Sequence, residues 1–472
     1  MPVRTRCLLL QSLAAFVLVV AACGGDGAGA NAGRRPPANP AIADTCAVSL
    51  PPRAPASAPP PVAMPAFAPA RSTIVVHTEV PLAGVRQALE AKVPRRVAAE
   101  KDHDLGAAGR LEYTVDRGPF SVRVENNALV VESNLQGRAQ ACARGQCYAG
   151  CAPEARVTAR VPLRLGADYK LRTSEVRIDV TKGCQIRALG GFLTIDVTPV
   201  LRGALAQQTR GIQASIDREL PDLGPEATRL WSELGKPRAL PLGACVVLSP
   251  EEITQGPATG TPELAKLRFG LLARPEVRVK CALGAAAAPQ KKALPPLRDD
   301  PALPAAGDVH LAIVLGEDAP ARAIERVDAI DLGGRRARVT QVTGDARSGL
   351  VLGLGGEACG EVGIHVGGVA WLDPQSLHLT SATPMPGESE RLAAAGLSAA
   401  GLVTAVDRAP IALPIAVSAL ETMLPELARG MSDEKVTVAA MVEGAKPDTA
   451  GLRGAEVIAV ALLRGAVTLR AK

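Results

Sequence analysis

The stretch Ser72–Pro94, STIVVHTEVPLAGVRQALEAKVP, decides how this chain is read. Ile74, Val75 and Val76 form a β-branched run that opens a strand, and His77, Thr78, Glu79 and Val80 continue it. Pro81 ends that strand and suits the first turn of a helix, where its missing N–H is not needed. In the helix, Leu82, Val85, Leu89 and Val93 recur every three or four residues and share one face. Pro94 closes it. The same order returns later: Val309 to Leu315 (VHLAIVL) is strand-like, and Ala319 to Ile330 is a short helical segment. Each copy is followed by alternating strands, a longer helix and more strands. Repetition on this scale makes the chain two copies of one domain.

The 472 residues suffice for two or three domains, each able to bury a sizeable core. Hydrophobic content is ordinary at 47%, but aromatic content is only 2%, so cores must be filled with Val, Leu, Ile and Ala. The net charge of +6 is spread thinly, with acids and bases interleaved and no basic run carrying aromatics. Nucleic acid is therefore not an expected partner.

Residues 1–22 read as a lipoprotein signal peptide. Arg4 and Arg6 precede an apolar run, Cys7 to Val20, that is too short to span a bilayer comfortably. Val20-Ala21-Ala22-Cys23 has the form of a bacterial lipobox, in which the cysteine is lipidated, by palmitate among other chains, and becomes the new N-terminus. Cys23 is thus the expected lipidation site and holds the mature chain on a membrane without spanning it. Gly24 rather than Asp follows the cysteine, which favours the outer membrane of a bacterial envelope. Residues 23–71 then read as a Pro/Ala/Gly-rich tether, with LPPRAPASAPPPVAMPAFAPA extended like polyproline and able to stand a domain roughly 60 Å from its membrane.

The first domain runs over 72–284. Phe120–Glu125, Val157–Leu165 and Val176–Thr181 alternate apolar with polar residues, which marks an antiparallel sheet with one face on a core. A long helix is expected over Pro199–Leu220, with Leu201, Leu205, Ile212, Ile216 and Leu220 as its stripe. Further strands fall near 239–248 and 267–281. Residues 285–306 are a linker by composition, and 307–472 form the second domain. There Pro414–Leu427 is the second long helix, and Val436–Val442 and Val457–Leu463 are closing strands, the second apolar enough to be buried on both faces.

Setting aside Cys7 and Cys23, eight cysteines remain, an even number suited to disulfides in an exported protein. Cys142, Cys147 and Cys151 crowd one loop, CARGQCYAGC, with Cys184 downstream. Their spacing is not that of a zinc knuckle, so no metal is expected. Cys245 and Cys281 lie in two late strands and are expected to pair; Cys46 and Cys359 have no obvious partner.

Catalytic motifs are absent. Ser432-Asp-Glu-Lys435 matches S-x-x-K without the partners of that enzyme class. Gly353-Leu-Gly355-Gly356 is followed by no helix, so it reads as a flexible strand. His365 and His378 flank Trp371 and Asp373 but read better as strand-end residues. No acid–base–nucleophile set can be assembled, and neither an enzyme nor a cofactor is expected.

Ser72–Pro94, WSELGKPRALPLGACVVLSPEEI (Trp231 to Ile253), LRFGLLARPEV (Leu267 to Val277) and ALPPL (Ala293 to Leu297) together resemble a family of uncharacterised bacterial lipoproteins. That family is similar to the tubular lipid-binding (TULIP) superfamily, which includes the bactericidal/permeability-increasing protein. The resemblance implies an α+β fold of two tandem domains, each a bent antiparallel sheet wrapped around its long helix. It implies an apolar seam for acyl chains, formed by Leu201, Leu205, Ile212 and Ile216 of the helix facing Val157, Val161 and Leu163. The expected function is binding of lipid or another apolar ligand by a membrane-anchored envelope lipoprotein. The alternative is a scaffolding lipoprotein that binds a protein partner and has a filled core.

Overall fold

The computed structural model describes residues 46–53 and 67–471, apart from 105–108, 144–145, 172–174, 189–192, 197, 200–201, 204–212, 214–221, 240–243, 280–292, 346–347, 431, 433 and 435. Six strands carry its organisation: β1 (Ser72–Pro81), β2 (Cys245–Gln255), β3 (Leu264–Arg278), β4 (Gly307–Leu315), β5 (Val436–Arg453) and β6 (Glu456–Ala471). Strands β2 and β3 form one antiparallel hairpin, and β5 and β6 form another. Between β3 and β6 lies a single strand position that two segments share. β1 fills one half of it, antiparallel to β3 and parallel to β6. β4 fills the other half, antiparallel to β6 and parallel to β3.

β1 and β4 therefore begin back to back at the middle of the sheet and run outward in opposite directions. The join is tight. Ser72 Oγ accepts a hydrogen bond from His310 N at 2.9 Å, and a Cβ on Gly307 would collide with the Thr73 carbonyl oxygen. Three short strands complete this nine-stranded sheet: Arg238–Ala239 and Arg298–Asp299 on β2, and Thr259–Gly260 on β3.

The β-branched run at the start of β1 does what its alternation dictates. Ile74 and Val76 enter a core with Leu230 and Trp231 of helix α2 (Gly224–Leu234), Leu248, Ile253 and Leu271, and with Val436, Val438, Val467 and Leu469 of the far hairpin. Val75 packs on the opposite face with Leu303 and Ala466. At the other end of the shared position, Ile313 and Leu315 enter a second core with Leu350, Leu352, Ile364, Leu377 and Leu379. Val457 to Ala461 of β6 are fully buried in succession, as a strand apolar on both faces requires.

A seven-stranded sheet stands beside the first half, built around Ala128–Ala143 and including Glu154–Pro162 and Glu175–Lys182. Its hairpin from Ser121–Glu125 into Ala128–Ala143 turns through Asn126 and Asn127, with φ of 49° and 59°. Two asparagines suit the two left-handed positions of a tight hairpin. In the second half, Arg336–Asp345, Gly349–Gly356 and Ala358–His365 form the body of a six-stranded sheet.

The α+β, TULIP-like architecture expected from the resemblance is not what the structure shows. The chain is mostly β, in several sheets, and among the described residues no helix exceeds 11 residues: α1 (Leu82–Lys92), α2 and α3 (Leu420–Gly430) are the longest. Among the described residues no sheet wraps around a long helix. The expected helix over 199–220 lies outside the described residues except for Pro199, Arg202, Gly203 and Gln213. The expected helix over 414–427 is a 3₁₀ turn at Val417–Ala419 followed by α3, which contains Pro425. Pro414 lies before the 3₁₀ turn, outside the helix, whereas Pro425 is accommodated within α3. Strands of 15 to 18 residues (β3, β5, β6) bury the aliphatic content instead.

Parts of the stretches read as tether and linker are also built into the fold. Val48–Ser49 pairs in parallel with Ala358–Cys359, Phe67 packs against Ile458 and Val460, and Leu297 and Leu303 are buried.

Candidate ligand site

At the outer end of β1, where the chain passes from Pro81 into α1, the packing leaves a cavity of about 140 Å³. Val80, Leu82 and Val85 form one wall; only Leu82 of α1 is buried outright, and Val85 follows it on the same face. Ala265, Leu267 and Phe269 of β3, alternate residues on one face of the strand, form the floor. Helix α2 closes a third side with Ala227, Leu230, Trp231 and Leu234. Leu163, Leu165, Tyr169 and Leu171, from the chain leaving strand Glu154–Pro162, complete the enclosure together with Leu129, Leu223, Ile253 and Leu297.

Three described lining residues carry polar groups: those of Tyr169 and Gln255 are occupied, and the indole N–H of Trp231 is buried without a hydrogen-bond partner. The Tyr169 hydroxyl donates to Pro295 O at 2.8 Å, and burial pushes its pKa up to about 12. Gln255 Oε1 accepts from Leu165 N at 3.0 Å, while its Nε2 donates to Leu165 O at 2.6 Å and to Asp299 Oδ1 at 2.9 Å. The amide thus ties the enclosing segment to the sheet and presents no spare donor to the space. Two ion pairs brace the same segment from outside: Arg164 with Asp299, and Lys170 with Asp222 at 3.1 Å. A dry cavity of about 150 Å³ holds a benzene-sized apolar group. This one matches that capacity.

The structure brings one of the expected seam residues, Leu163, to the cavity. Val161 is buried elsewhere on its strand, and Val157 packs with Val115, Leu135 and Ala155 in a separate cluster of the seven-stranded sheet. Leu201, Leu205, Ile212 and Ile216 lie outside the described residues. Sequence reasoning passed over Tyr169, Trp231 and Phe269. The available signal was scarcity: three of the chain's ten aromatic residues meet here.

The described cysteines are oxidised. Cys46 bonds Cys359, Cys142 bonds Cys147 and Cys151 bonds Cys184. Cys245 is disulfide-bonded as well, and Cys281 lies outside the described residues. Glu112, Cys142 and Cys147 bring potential ligand atoms within 4.8 Å of one another, but two sulfurs committed to a disulfide cannot serve a metal as thiolates. The remaining motifs are structural. Ser432 Oγ accepts from Val438 N at 2.9 Å, Gly353–Gly356 lies within a paired strand, and His378 Nδ1 meets Asp407 O at 2.7 Å. Asp373 is held below the usual carboxylate range by Ser376 and Gln375, which it caps in a turn.

What fold and site define together is a β-rich, disulfide-bonded protein with a partly open apolar cavity. The chain belongs to the family described as Domain of unknown function (DUF4403), whose model matches residues 70–353. No curated protein matches it, and nothing in these comparisons supports the likeness to tubular lipid-binding proteins.

Proposed function

We propose that this chain is a membrane-anchored lipoprotein of the bacterial envelope, attached through Cys23, that binds lipid or another apolar ligand. One observation carries the reading: the cavity at the end of β1 is walled by aliphatic and aromatic side chains, with Tyr169 and Gln255 already hydrogen-bonded and the Trp231 indole N–H the one described lining donor without a partner. Such a space rewards a hydrocarbon group by about 0.8 kcal/mol per buried methylene. Apart from that indole N–H, it offers a polar group no compensation for its lost water. The terminal part of one acyl chain is the occupant that fits. The Val20–Cys23 lipobox supports anchoring, and the oxidised cysteines suit an exported, outer-membrane-attached protein.

The test uses Trp231 as reporter, with Trp371, the other tryptophan, replaced by Phe. A single-chain lipid brominated near its chain end is titrated into delipidated protein. Saturable quenching of Trp231 is expected, and Ala227→Phe, which fills the cavity, abolishes it. Absence of saturable quenching in the parent protein would favour the scaffolding lipoprotein with a filled core.

A further inference from the structure

Residues 46–53, read from composition as part of a free tether, form a strap across the second half of the molecule. Val48 N and Leu50 N donate to Glu357 O (2.9 Å) and Cys359 O (2.8 Å), which sets the segment as an added parallel strand. Leu50 enters the second core, and its side chain lies where a Cβ on Gly360 would be, at φ +135°, a conformation glycine alone adopts readily. Arg53 Nε meets the buried Glu388 carboxylate at 3.0 Å, and Arg391 donates to Pro51 O at 2.5 Å. The Cys46–Cys359 disulfide makes the attachment covalent across 313 residues of sequence.

The position of this strap matters because β1 starts in the middle of the central sheet. Were the chain N-terminal to Ser72 free, an anchor would hang the molecule from its centre. The strap moves the attachment point to the end where Ile313 and Leu315 of β4 share a core with Leu50. The cavity lies at the opposite end, beside Val80. β1 and β4 together pair along β6 from Val457 to Arg470, so they cover roughly 50 Å at about 3.3 Å per residue.

We propose that the disulfide-locked strap makes the second half the membrane-proximal end, against the lipid surface that holds the anchor, and presents the cavity end away from it. This rests on the anchoring reading above. The test reconstitutes the full-length lipidated protein in phosphatidylethanolamine/phosphatidylglycerol vesicles containing a fluorescent acceptor lipid, with the acyl anchor verified by intact mass. A donor fluorophore is carried on a click-reactive residue at exposed Glu361, beside the strap, or at exposed Glu263, at the cavity end. Energy transfer several-fold greater from Glu361 is expected; equal or greater transfer from Glu263 overturns the proposal. A mass lacking the anchor overturns the anchoring reading, and the proposal with it. Independently, cutting at a protease site inserted between residues 54 and 66 should leave the body on the vesicles until reductant is added. Release on cutting alone also overturns it.

Discussion

The two outward ends of the shared strand position begin from similar sequence and finish differently. β1 and β4 are both aliphatic strands that lead into a short helix, and both are flanked by the same two hairpins. At the outer end of β4 the packing is tight: Leu352, Ile364, Leu377, Leu379 and Leu392 are all fully buried in one cluster, covered by the strap, and a smaller apolar pocket of about 70 Å³ lies nearer the middle of the sheet beside Val309 and Leu311. Around β1 the enclosure is made of larger side chains, Tyr169, Trp231 and Phe269, that meet without closing the gap. Small residues let the second-half strands and helices approach; Ala337, Ala358 and Ala409 are essentially inaccessible. Equivalent topology thus yields a filled core at one end and a vacancy at the other. The filling, not the strand order, distinguishes the two ends.

The largest expected effect comes from creating at the β4 end what the β1 end already has. Leu377→Ala should cost about 2–5 kcal/mol, because a packed site collapses poorly around the lost methyls. Leu267→Ala, at a wall that already faces open space, should cost roughly 1 kcal/mol. Urea titration of both variants checks the pair, and equal losses would mean that the β1 end is as tightly filled as the other.

Next is the strap. Replacing Cys46 and Cys359 together by Ala should lower stability by about 2–4 kcal/mol, the usual worth of closing a long loop. The loss should appear in the thermal unfolding of the second half, read by Trp371, whose Nε1 donates to Thr449 O at 3.1 Å.

Smaller again is an acid dependence that the two ends share. Glu276 of β3 meets Arg453 at 2.7 Å near the β4 end, and Glu79 of β1 meets Arg470 at 2.5 Å near the other. Burial alone would raise both carboxyl pKa values, but the arginines outweigh it and hold them below the ordinary value of 4.5. A depressed folded pKa contributes stability that is fully present above the unfolded value and is lost as pH falls through the folded one. Stability should therefore fall below about pH 4.5. Glu276→Gln should remove part of that slope and cost roughly 1–2 kcal/mol at neutral pH. Parallel pH-dependent melts of wild type and variant check it.

Much of this molecule was legible from residues three or fewer positions apart. The alternation of Val157–Leu165 marked a strand that in fact ends at Pro162, that of Val176–Thr181 marked another, Pro81 marked a strand-to-helix passage, and the Val457–Leu463 run marked a strand buried on both faces. What was not legible depends on distant pairing. No local pattern sets β1 and β4 end to end, since their register is fixed by Ser72 against His310 and by β3 and β6. Cys46 could not be matched with Cys359 across 313 residues. The Pro-rich composition of the strap concealed a strand that needs only two donated N–H groups and one buried leucine. The cavity was hardest, because its walls come from segments between Val80 and Leu297, each of which reads locally as ordinary core.

The central claim, that the β1 end is vacant in order to hold a hydrocarbon chain, is tested most directly by native mass spectrometry of protein extracted gently from its own envelope. The account predicts a discrete mass excess, removable by organic extraction and identified as an acyl-bearing lipid. Ala227→Phe should lack it while its ligand-free thermal midpoint stays close to that of the parent. A parent protein at its bare lipoprotein mass, with Ala227→Phe strongly destabilised by overpacking, would contradict the claim.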